Sequence, residues 1–148
     1  MKTMIQKNYK RNIIFLSLLI FLISLTQTAI VIKHQEITDI YGFNYFIAGS
    51  IAIIGGGIQE WIVWLANPFS FLSIILFLKD SKTAILSSSI ALILSASFLN
   101  WKEILGSESG TLAQILSFGL GYYLWLSSIL LLTIGIIYYY SNKNSVKI

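Results

Sequence analysis

Residues 13 to 32 read IIFLSLLIFLISLTQTAIVI, twenty positions without a charge between Arg11 and Lys33. Wound as a helix at about 1.5 Å per residue, they reach about 30 Å, the thickness of a bilayer's hydrocarbon core. The run predicts a first membrane crossing from Ile13 to Ile32. Lys2, Lys7, Lys10 and Arg11 precede it, as in a secretory signal peptide. The run is too long for a signal core, however, and Gln27 stands two residues before Ala29, where a cleavage site wants a second small residue.

Outward from this segment, the next apolar stretch runs from Phe46 to Leu78, broken by Gly55-Gly56-Gly57, by Gln59-Glu60 and by Asn67-Pro68. One straight helix of that length would measure about 50 Å, too long for a bilayer. Two crossings would each be short and would move Lys79 and Lys82 to the opposite side. The stretch therefore predicts one crossing over about 59–78, preceded by an interfacial helix. A break or kink is expected near Asn67-Pro68, because Pro68 has no N–H for the carbonyl of Trp64. Two further crossings follow at about 84–101 and 118–140. The expected fold is all-α: a polytopic transmembrane four-helix bundle, with residues 1–148 forming one membrane domain.

Composition agrees with lipid as the main solvent. Hydrophobic residues make up 56% and charged residues 11%, with a single Pro; mean hydropathy is +0.79, far from soluble averages. The absence of Cys excludes disulfide, thiol-redox and thiolate-metal chemistry. A net charge of +4 does not point to nucleic acid, since the cations sit at helix ends and form no stripe. They act as topology signals. With the amino terminus inside, Lys2, Lys7, Lys10, Arg11, Lys79, Lys82, Lys143 and Lys147 are cytoplasmic, and Lys33 and Lys102 face out. Both termini are then cytoplasmic, and the outer loops carry Glu36, Asp39, Glu103 and Glu108.

Helices in lipid associate through small side chains that permit close approach. Ala84, Ser88, Ala91 and Ser95 supply such a face on the third segment, Ser17, Ser24 and Thr28 on the first, and Gly121, Ser128 and Gly135 on the fourth.

Glu60 is the sharpest functional candidate, because an ionisable group inside an apolar stretch is costly and calls for a partner. An ion or proton site there would use Glu60, Gln59 and Asn67, with the Trp64 carbonyl freed by Pro68. Alternatively, Glu60 lies hydrated at the outer interface with Trp61 and Trp64 as belt residues. Glu103, Glu108, Trp61, Trp64 and Trp101 form a candidate partner-binding outer face. No catalytic or metal-binding motif is present: His34 stands alone, no Ser lies in a nucleophile motif, and Gly119-Leu120-Gly121 is too short for a dinucleotide fingerprint. No cofactor is expected.

The runs Trp64-Leu65-Ala66-Asn67-Pro68, Leu94-Ser95-Ala96-Ser97-Phe98-Leu99, Glu108-Ser109-Gly110 and Gly119-Leu120-Gly121-Tyr122-Tyr123-Leu124-Trp125-Leu126-Ser127 give the last two thirds a resemblance to small bacterial four-helix integral membrane proteins. That group has no assigned activity, so the resemblance implies the membrane fold and no site residues. Small multidrug transporters of four helices carry a Glu in the first helix, which Ile13 to Ile32 lacks. The expected function is therefore non-enzymatic binding at the outer face of a bacterial inner membrane, as an accessory subunit or immunity-type protein. The partners would be the lipid bilayer and either another protein or a second copy. The alternative is a small channel or transporter using Glu60 and the break at Asn67-Pro68.

Overall fold

The computed structural model describes residues 2–106 and 111–145. Its first helix, α1 (Lys2–Leu25), stops where Thr26-Gln27 begins a polar turn. The Thr26 hydroxyl donates to the Ile23 carbonyl (2.8 Å) and tightens that end. The next residues, Thr28-Ala29-Ile30-Val31-Ile32-Lys33, form strand β1 (Thr28–Lys33). Four of these six are β-branched, a type that loses rotamer freedom in a helix and packs well on a pleated surface. Strand β2 (Ile37–Tyr41) turns back on β1. The chain continues through α2 (Gly42–Ile51), α3 (Ile58–Trp64), α4 (Ala66–Leu78) and α5 (Thr83–Ser97). Two more strands follow, β3 (Glu103–Leu105) and β4 (Leu112–Phe118), before α6 (Leu120–Ser145).

The strands form one antiparallel sheet in the order β2-β1-β4-β3. This corrects the expectation of an all-α four-helix bundle: the fold mixes helices with a sheet made from the two segments read as outer loops together with the end of the expected first crossing. The expected 13–32 crossing is divided accordingly, and Thr28 lies in a strand, not on a helix face. Four helical stretches remain long and apolar enough to cross a membrane: Lys7–Leu25, Ile58–Leu78, Thr83–Asn100 and Leu120–Lys143.

A register shift in the β1–β4 ladder sets which face is buried. Val31 lies opposite Ser117 and Ile32 opposite Ile115, so Leu116 is an extra residue in β4. Such a bulge reverses side-chain parity along one strand, and both Ile115 and Phe118 turn toward the helices with Ile30 and Ile32. These residues pack with Val63, Phe98, Ile104, Ala113 and Tyr122 in a core between sheet and bundle.

Small residues hold the bundle. Ala84, Ser88, Ala91 and Ser95 are fully buried. On the α1–α6 seam the Ser17 hydroxyl donates to the Ser128 carbonyl (3.0 Å), and a Cβ on Gly135 would come within 2.6 Å of Ile13. A Cβ on Gly121 would lie 2.6 Å from the Gln27 carbonyl, so the β4–α6 turn can seat against the α1–β1 turn only without a side chain there. Several serines bond their own helix, as Ser24 to Phe21, Ser88 to Ile85 and Ser95 to Leu92. Ser87 reaches across from α5 to the Phe69 carbonyl of α4 (2.7 Å).

Candidate functional site

Pro68 leaves the Trp64 carbonyl without its helical donor, and the adjacent Asn67 supplies a replacement. Its Nδ2 donates to the Trp64 oxygen at 3.0 Å, while its Oδ1 accepts from the Trp125 indole Nε1 at 2.9 Å. The amide thus closes the break between α3 and α4 and ties it to α6. Asn67 is 5% exposed, so each of these groups would otherwise be buried unpaired at a cost of about 1–3 kcal/mol.

Glu60 lies one turn before the break. Its Oε1 accepts from the backbone N–H of Leu105, 2.8 Å away. Gly106 donates to Thr111 and Lys102 accepts from Ile115, so these alternate residues make the bonds to β4. Leu105 is out of phase with them and directs its N–H to the open edge of the sheet. Glu60 caps that edge. An uncovered strand edge is a template for unwanted pairing, and a charge-assisted bond from a carboxylate is a strong way to occupy it.

Glu60 and Asn67 both line a cavity of about 60 Å³ beneath the sheet, with Tyr45, Phe46, Trp64 and Trp125 among its walls. At about 10–15 Å³ per water, that space suits a few waters and falls well below the several hundred Å³ of metabolite pockets. Burial first, and then the Glu60 carboxylate, push the Tyr45 hydroxyl above the usual tyrosine range. A much smaller void of about 10 Å³ lies against α1 and shares Asn67 and Trp125 with the cavity.

The structure separates the remaining candidates. Gln59 is exposed and lines a surface depression with Asn100, Trp101, Lys102 and Glu103, away from the cavity. Trp64 turns inward, where its Nε1 donates to the Phe46 carbonyl (2.8 Å). Trp101 packs on Phe98 with ring centroids 5.1 Å apart, and Trp61 is half-buried. Glu108 lies outside the described residues. Of the expected outer face, Trp101 and Glu103 therefore share one surface with Gln59.

A second polar cluster, at the end of the bundle away from the sheet, does not stand out in the sequence. Lys10 is 8% exposed; its Nζ donates to the Phe77 carbonyl (2.7 Å) and pairs with Asp80 Oδ1 (2.8 Å). Lys143 and the Tyr139 hydroxyl reach the same oxygen at 3.1 and 3.0 Å. These contacts hold the Asp80 carboxyl down to about 2, the Lys10 hydrogen bond being the largest cause. Asp80 takes a left-handed backbone, φ 58°, a conformation Asp tolerates better than most residues. The one signal in the sequence is Lys10 itself, a cation at the border of the apolar run that starts at Ile13.

Among the described residues, no three His, Asp or Glu side chains gather as a metal ion would need. Comparison with protein-family models, curated proteins and solved structures gives no match.

Proposed function

We propose that this chain is a multi-pass protein of a bacterial cytoplasmic membrane that acts by binding a protein partner at its sheet end, as an accessory subunit or immunity-type protein, without chemistry of its own. The sheet is the main support. Its outward face carries exposed Ile37, Leu112 and Leu116 among Lys33, Asp39 and Gln114, a mixture suited to an interface whose apolar centre has a polar surround. Strand β2 offers an open edge, and the depression around Trp101 and Glu103 adjoins the capped edge. The lipid-facing helices hold this platform in place. A photo-crosslinking residue at Leu112 or Leu116 in cells should give a discrete protein adduct. The same residue at Leu86 or Ile93, exposed on α5, should give none. Leu112→Asp should abolish co-purification of the identified partner. Crosslinks confined to lipid at all four positions would refute this reading.

A second reading, ion or proton passage at Glu60, is favoured by the cavity that reaches both Glu60 and Asn67. It is weakened by the engagement of Asn67 and Glu60 Oε1 in structural hydrogen bonds. Glu60→Gln separates the two readings. The substitution keeps an oxygen for the Leu105 N–H, so folding should persist; loss of flux from conducting wild-type vesicles would support transport, and unchanged flux would exclude Glu60 from it.

A further inference from the structure

The basic end of the bundle contains a groove beside α1, bordered by Lys7, Lys10, Arg11, Ile14, Phe15 and Leu78, with Tyr139 and Asp80, whose carboxylate is already paired with Lys10 and Lys143, completing its lining. Lys7 and Arg11 are four residues apart and so share a helix face. Phe15 continues that face from Arg11, and Ile14 continues the line of Lys10. A basic mouth therefore leads directly onto an apolar wall. Lys10 is committed to Phe77 and Asp80, but Lys7 and Arg11 are exposed and make no ion pair among the described residues. Further along, α1 meets α4 through Phe21 and Phe71, whose rings cross edge to face at 5.6 Å. From Arg11 to Phe21 is ten residues, about 15 Å of helix, or half the thickness of a hydrocarbon core.

We propose that this groove is a site for one anionic phospholipid. Lys7 and Arg11 hold its phosphate, and an acyl chain lies along Ile14, Phe15 and Leu78 within one leaflet. Charge favours this occupant. Six cations, Lys7, Lys10, Arg11, Lys79, Lys82 and Lys143, stand at this end against Asp80 alone among the described residues, and basic residues near an anionic membrane surface gain about 1 kcal/mol each. Arg11 adds a planar fork suited to two phosphate oxygens. A zwitterionic lipid offers the same phosphate but adds an ammonium group that this cluster of cations repels. The site requires the chain to lie in a bilayer and is independent of what the sheet binds.

Native mass spectrometry of the full chain in a neutral detergent tests the site, with phosphatidylglycerol and phosphatidylcholine of matched chains as probes. One phosphatidylglycerol should be retained about tenfold more strongly than phosphatidylcholine, whose ammonium group offsets the attraction of its phosphate to the cations. Lys7→Gln with Arg11→Gln should erase that preference. Both side chains are exposed, and an unchanged melting temperature would show that the variant still folds. Lys79→Gln with Lys82→Gln, which removes equal charge from the same end, should leave the preference intact. Soluble glycerol phosphate should not displace the lipid. Equal retention of the two lipids, an undiminished preference in the Lys7/Arg11 variant, equal loss in the Lys79/Lys82 variant, or displacement by glycerol phosphate would each overturn the site.

Discussion

At the scale of single residues, Asn67 shows how a helix break can be prepared within the sequence. Pro68 removes one donor, and the preceding amide supplies another while offering its oxygen to Trp125. The break itself is legible, because proline has no alternative chemistry. The indole on α6 is not, because it stands 58 residues away. Glu60 divides in the same way: its presence marks an anomaly, but its acceptor role depends on Leu105, a backbone group that no side-chain pattern announces. Asn67→Leu should remove both bonds and leave the Trp64 carbonyl and Trp125 N–H buried, lowering stability by about 2–5 kcal/mol. Asn67→Asp should cost at least as much at neutral pH, since it keeps an acceptor for Trp125 but buries a charge and sets a carboxylate oxygen against the Trp64 carbonyl. Thermal unfolding in detergent would rank the variants, and equal stability of Asn67→Leu and wild type would show that the amide does not close the break.

At the scale of elements, Thr28 to Ile32 explains why the sequence suggests the wrong fold class. An apolar run cannot by itself distinguish the end of a crossing helix from a strand buried on one face, especially when both adjoin an apolar core. The β-branched content of Thr28-Ala29-Ile30-Val31-Ile32 is the available signal, but twenty uncharged residues in succession favour a single helix. Pairing β1 with β4 also joins residues 30–33 to residues 114–118, a non-local choice that neither segment specifies alone. The chain contains no Cys, so an introduced pair has no background. Val31→Cys with Ser117→Cys, directly opposed in the ladder, should form a disulfide on mild oxidation. Asp39→Cys with Ser117→Cys spans two strand spacings, about 9.5 Å, beyond the reach of a disulfide, and should remain reduced. Two independent loops would give no such contrast when free thiols are counted with a maleimide of added mass.

At the scale of the whole molecule, the two ends carry opposite assignments. The sheet end gathers β1 to β4, whereas the other end joins α1, the α4–α5 turn and α6 through Lys10, Asp80 and Lys143. This ionic junction puts the start of α1 and the end of α6 together, which four crossings require and five would not allow. The charge count then gives the arrangement a direction: cations near membrane ends are retained in the cytoplasm, so the sheet should lie outside. Single cysteines at Leu112 and Lys82 test this because both positions are exposed and occupy opposite ends. A membrane-impermeant maleimide added to intact cells with a permeable outer envelope should label Leu112→Cys and spare Lys82→Cys until the cytoplasmic membrane is opened. The reverse pattern would turn the protein over, moving the sheet and its partner into the cytoplasm. Labelling of both before lysis would deny that a bilayer separates the ends, and with it the membrane reading from which the topology was drawn.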